Sequence, residues 1–114
     1  VNDYIPKPGD IVFLDFDPQK GHEQKGQRPA LIISNDTFNH FTKLSLVCPI
    51  TNTNRDFPLH VNLNSQTHTT GVVRCEQVKS LDIYARNVCF VEKIPKHILA
   101  EVLDIVLGFT EIIH

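Results

Sequence analysis

Two polar stations in this sequence carry side chains suited to chemistry. The first is the run Gly21-His22-Glu23-Gln24-Lys25-Gly26-Gln27-Arg28-Pro29, which leads straight into an apolar stretch. Arg28 falls at that loop–strand junction, and Pro29 fixes its own φ and biases Arg28 toward extended geometry, so the guanidinium stands on a stiff base. The second is Cys48-Pro49-Ile50-Thr51, an apolar run ending in a hydroxyl, followed by the polar segment 52–56. Taken alone, these residues also fit commoner readings, a surface arginine and a threonine that closes a turn.

Other chemistries find little purchase. Six histidines are present, but none pairs at i, i+4 on a helical pattern and no Cys/His spacing matches a zinc site, so no metal and no cofactor is expected. His40, His60, His68, His97 and His114 lack any mutual spacing and read as surface or packing residues. Phosphate-loop, dinucleotide and serine-hydrolase signatures are missing too. Cys48, Cys75 and Cys89 are odd in number and far apart, which suits a reducing cytoplasm; Cys48 and Cys89 lie in apolar runs and read as packing residues.

The elements that must hold these groups are mostly strands. Ile11–Phe16 lies between Pro8-Gly9-Asp10 and Asp17-Pro18, Ala30–Ser34 is a β-branched run, and Leu44–Ile50 is a third strand. Asn35-Asp36 offers capping side chains for a turn or a single helical turn through 37–41. Leu59, Val61 and Leu63 alternate with polar neighbours, segments 71–73 and 75–81 fit a strand or bent hairpin, and Val88–Ile94 adds one more, about six strands in all. The loop 17–28 is long and polar, as functional loops often are. The uncharged segment Ser65–Thr70 reads as a loop with no assigned role.

After Pro95 the period becomes helical, with His97, Glu101, Asp104, Gly108 and Glu111 in one narrow polar stripe. The remaining surface is apolar, more than one face against a small barrel can cover, so a second subunit is expected on it. A chain of 114 residues with 41% apolar and 21% charged residues reads as one domain, 1–114, around one core. A net charge of −2 gives no global basic surface for a polyanion. Residues 92–114 hold that excess, which leaves 1–91 balanced, and RNA binding would rest on local charge. No membrane-spanning run or signal pattern is visible.

The ordered series Pro8-Gly9-Asp10, Asp15-Phe16-Asp17-Pro18, Gly21 through Glu23-Gln24, Gly26-x-Arg28-Pro29, Ser34-Asn35-Asp36, Pro49-Ile50-Thr51 and Glu76 through Asp82 resembles the MazF/PemK family of toxin–antitoxin endoribonucleases over nearly the whole chain. The resemblance implies a mainly β fold with a C-terminal helix, an SH3-like barrel of the CcdB/MazF type, working as a homodimer that cuts single-stranded messenger RNA. It also implies that Arg28 and Thr51 are the catalytic pair. The position before the arginine is histidine in some members and Gln27 here, which removes a proton-transfer role from it.

RNA brings its own nucleophile, the ribose 2'-OH, so positioning and charge stabilisation can suffice without a metal, leaving a 2',3'-cyclic phosphate and a 5'-OH. A guanidinium fork suits the phosphoryl oxygens, and the threonine would donate to the same phosphate or orient the 2'-OH. A guanidinium is a poor base, so Glu23 or solvent is left to take the proton, with His22 a bystander in the same loop. Gln24, Lys25, Gln27, Gln77 and Lys79 are the expected RNA contacts. The expected partner is a MazE-like antitoxin whose acidic flexible segment covers the groove. Two other classes compete. A CcdB-like gyrase poison shares this barrel, but its tryptophan-containing C-terminal end has no counterpart here. A non-catalytic RNA-binding barrel would want stacking aromatics, and the seven Phe and two Tyr lie mostly inside apolar runs.

Overall fold

The computed structural model describes residues 2–16, 27–53, 57–63 and 65–112. Its elements are β1 (Asp10–Asp15), β2 (Gln27–Ile32), α1 (Asp36–Thr42), β3 (Ser45–Thr51), β4 (His60–Asn62), β5 (Val72–Arg74), a 3-10 turn (Cys75–Gln77), β6 (Lys79–Leu81), β7 (Cys89–Lys93) and α2 (Lys96–Gly108). The strands pair antiparallel in the order β4-β5-β3-β2-β1-β7, with β6 also on β3. This is the expected mainly β architecture with a C-terminal helix, built from seven strands among the described residues rather than six.

The extra strand comes from a change of partner along β3. Ser45–Val47 pairs with β6, whereas Ile50 and Thr51 pair with β5. Pro49, which has no N–H to give, stands between the two stretches, and the 3-10 turn occupies the gap. The segments 71–73 and 75–81, which fit a strand or a bent hairpin by sequence, are therefore two short strands separated by a turn.

Two apolar clusters replace the single core expected. Ile11, Leu31, Ile33, Cys48, Ile50, Val61 and Val73 pack with Ile98 and Val102 of α2. Val12, Leu14, Ala30, Ile32, Val47, Ile83 and Val88 form the other. Neighbouring residues of β1, β2 and β3 divide between them because successive side chains point to opposite faces of a strand. The unbroken apolar runs of these strands reflect burial on both sides, a pattern that conceals the alternation.

One carboxylate joins the two ends of the sheet. Glu92 of β7 accepts hydrogen bonds from the backbone N–H of His68 (3.1 Å), the backbone N–H of Thr69 (2.7 Å) and the Thr69 hydroxyl (2.7 Å), in the segment leading to β5. The strand at one end of the order is thereby tied to the loop beyond the other, and the sheet curls into a barrel. Burial opposes the charge on Glu92, but the donors from Thr69 and His68 outweigh it and hold the carboxyl below the usual range.

The opening Pro8-Gly9-Asp10 serves as a knot. Gly9, at φ +96°, gives its N–H to Ile32 (2.8 Å) and accepts from Ile94 (2.9 Å), and a Cβ there would sit 3.3 Å from Leu99. Buried Asp10 accepts from the Tyr4 hydroxyl, the Lys7 N–H (3.1 Å) and the Lys93 ammonium (2.6 Å). In Ser34-Asn35-Asp36, Ser34 takes the N–H of Leu46 (2.9 Å) and Asn35 caps α1 through the N–H of Phe38 (2.9 Å). Capped in this way, α1 is a seven-residue helix where the sequence suggested a single turn.

Three other expectations change. Cys89 is exposed on β7, whereas Cys48 and Cys75 are buried, and burial pushes their thiols up to about 12 and about 11. Glu111 of the helical stripe lies beyond the end of α2. Arg28 lies within β2, because that strand begins at Gln27.

Asp10→Ala strands three donors and is expected to lower unfolding stability by about 1–3 kcal/mol, read by urea denaturation. Because the Glu92 carboxyl is depressed in the folded state, its contribution is present above about pH 4.5 and fades as pH falls through the folded value. Stability of the wild-type chain should therefore drop more steeply between pH 5 and 3 than that of Glu92→Gln.

Candidate active site

The register of the central strands brings Arg28 and Thr51 together. β1 and β2 set Leu14 opposite Arg28, and β2 and β3 set Ala30 opposite Pro49. Carried two residues further, the second pairing places Arg28 against Thr51. Both follow the parity of Ala30, Ile32 and Val47, so both stand on the face of the second apolar cluster. They line one open cleft of about 580 Å³ together with Gln27, Pro29, Ile50, Asn52 and Thr53.

Arg28 is exposed, and among the described residues no carboxylate pairs with it. Its neighbour on β1, Leu14, is fully buried, so the base of the guanidinium stem stands beside an apolar wall. The Thr51 hydroxyl accepts the N–H of Thr53 (3.1 Å) and keeps its own proton to donate. The turn-closing role and an active hydroxyl are thus compatible in one side chain.

Thr51 is braced from outside the strand by residues the sequence did not single out. Gly71 adopts φ +116°, and a Cβ on it would lie 2.4 Å from the Thr51 carbonyl oxygen. The Thr70 hydroxyl donates to the side-chain carbonyl of Asn52 (2.9 Å). At the other side of the cleft, Arg86 donates to the carbonyls of Asp15 and Phe16 (2.9 Å each) and Asn87 donates to the Asp15 carboxylate (2.7 Å). These bonds fix the end of β1 beside the start of β2. The glycine had a sequence signal, an isolated Gly before an apolar pair; Arg86 and Asn87 had none, because their partners are mostly backbone carbonyls some 70 residues away.

The expected RNA contacts divide. Lys79 lies opposite Val47 and therefore shares the face of Arg28 and Thr51; its ammonium is 5.5 Å from the centre of the Phe16 ring, a cation–π distance. Gln27 lines the cleft, and Gln77 is exposed in the 3-10 turn two residues before Lys79. Glu23, Gln24 and Lys25, with His22, lie outside the described residues. Among the described residues no three His, Cys, Asp or Glu side chains are arranged to hold a metal ion.

The chain matches the family model described as PemK-like, MazF-like toxin of type II toxin-antitoxin system over residues 7–108, and it belongs to that family. It is 41% identical over 99 residues to the endoribonuclease PemK of Escherichia coli, covering 83% of this chain and 74% of that protein. It is also 41% identical over 87 residues to the endoribonuclease toxin MazF of Escherichia coli K12, covering 76% and 78%. A MazE–MazF crystal structure from Deinococcus radiodurans contains a chain of the same fold, with a TM-score of 0.81, 32% identity and coverage of 94% of this chain and 96% of that one.

Gly71→Ala is expected to cost about 1–3 kcal/mol through strain at positive φ and to displace Thr51. Gly108→Ala, at the helix end where the added methyl has room, should leave stability equal or slightly raised. Paired thermal melts of the two variants give the comparison.

Proposed function

We propose that this chain is the toxin of a type II toxin–antitoxin pair and acts as a metal-independent endoribonuclease on single-stranded messenger RNA, cutting at specific short sequences. The observation that carries the reading is the shared cleft of Arg28 and Thr51, a guanidinium without a carboxylate partner among the described residues beside a hydroxyl with a free proton. In-line attack by the ribose 2'-OH builds negative charge on the phosphoryl oxygens. Arg28 holds that charge through its fork, while Thr51 donates to the same group or orients the nucleophile. The products are a 2',3'-cyclic phosphate and a 5'-OH. Glu23 or solvent accepts the proton, and Gln24, Lys25, Gln27, Gln77 and Lys79 hold the strand and read its bases.

The chain works as a homodimer. On and beyond α2, Leu107 is 70% exposed and Ile112 79% exposed, with Leu103 and Phe109 also open to solvent, and Phe13 and Phe90 add apolar surface on β1 and β7. An apolar surface of that extent calls for a partner. A MazE-like antitoxin with an acidic flexible segment fits the cleft by charge, and a cytoplasmic location for the pair is part of the same proposal.

Purified protein incubated with labelled single-stranded RNA in EDTA should leave 5'-OH ends at a short recurring sequence. Arg28→Ala should lower the rate by about 100–1000-fold, equivalent to ~3–4 kcal/mol of barrier. The rate should stay flat from pH 5 to 8; a bell centred near pH 6.5 would bring His22 back as an acid or base. Retained cleavage by Arg28→Ala would sink the assignment, and a monomeric mass in sedimentation would sink the dimer.

A further inference from the structure

Residues 65–71 form a bridge between the barrel seam and the cleft. At one end, the Glu92 carboxylate takes three donors from His68 and Thr69. At the other, the Thr70 hydroxyl is bonded to the Asn52 side chain, next to Thr51. Gly71 presses against the Thr51 carbonyl so closely that no side chain fits between them, and its own carbonyl is fixed by the N–H of Leu63 (3.0 Å). Thr51 is itself the last residue of β3, paired with Val72, the first residue of β5. The end of β3 therefore takes its position from this segment as well as from β2.

We propose that Glu92 is a positioning residue for Thr51, acting through the segment 68–71. The proposal rests on the reading of Thr51 given above. The physical case is one of over-determination. The hydroxyl-rich segment 68–70 has no apolar side chain with which to anchor itself, so its geometry comes from hydrogen bonds, and those to the Glu92 carboxylate are charge-assisted. Released from Glu92, residues 68–70 regain backbone freedom, and the Thr70–Asn52 bond and the Gly71 contact loosen with them. A shift of about 1 Å at a hydroxyl facing the phosphate slows reaction without abolishing RNA binding, because the contacts along the rest of the strand are untouched.

The test is a double-mutant cycle on the full chain, with a fluorogenic single-stranded RNA as substrate. Glu92→Ala should lower kcat by about ten-fold with KM within about two-fold of the wild-type value. Thr70→Val, which cuts the bridge at its far end and leaves the barrel seam intact, should do the same to a lesser extent. In a Thr51→Ala background, adding Glu92→Ala should change the rate by less than about two-fold. Equal losses from Glu92→Ala in both backgrounds, or a Thr70→Val chain with unaltered kcat, would overturn the proposal while leaving Thr51 in place. A fully active Thr51→Ala would instead overturn the reading of the cleft, and this proposal with it.

Discussion

A slip of one residue between β2 and β3 would turn Thr51 to the opposite side of the sheet from Arg28, because side chains alternate along a strand. The register of the three central strands is therefore the constraint on which the cleft depends. It is pinned by burial on both faces. Ala30, Ile32 and Val47 must meet one cluster while Leu31, Ile33, Cys48 and Ile50 meet the other, and a shifted pairing would break both sets at once. Two-sided burial is a stronger lock than the half-buried alternation of a solvent-facing sheet.

The remaining supports hold the ends of those strands, and they do so with polar bonds. Arg86 and Asn87 fasten the end of β1, Asp10 gathers donors at its start, and Glu92 draws the loop beyond β4 onto β7. Packing and polar contacts therefore divide the labour. Apolar contacts choose which residues face each other, and buried or half-buried hydrogen bonds decide how exactly the rims of the barrel are held.

Much of this was legible in the residues. The strands at 11–16, 30–34, 44–50 and 88–94 and the helix after Pro95 announced themselves by composition and period, with bounds that moved by a few residues. The capping role expected of Asn35-Asp36 is seen at Asn35, and Pro8-Gly9-Asp10, read as the turn before the first strand, is in addition a backbone knot. What stayed hidden was whatever depends on distance along the chain. Glu92 was one residue of an expected strand and Ser65–Thr70 a loop with no assigned role, because neither shows its partner locally. The unbroken apolar runs of β1 and β2 carry the mark of burial on both faces, but not the division of that burial into two clusters. Arg28 and Thr51 could be paired only by resemblance, since 22 residues, a helix among them, lie between the two in sequence.

Pro49 carries one more consequence. Had β3 offered a continuous row of donors, residues 72–81 could have lain beside it as one long straight ribbon, and its outer rim would have been a template for recruiting further copies of the chain into an aggregate. With an amide missing at the midpoint, that flank is cut into two stretches of three residues set apart by a turn. Of the two, β5 is covered by β4, and β6 is a stub of three residues, too short to seed stacking, so the proline that divides the flank also guards the solubility of the fold.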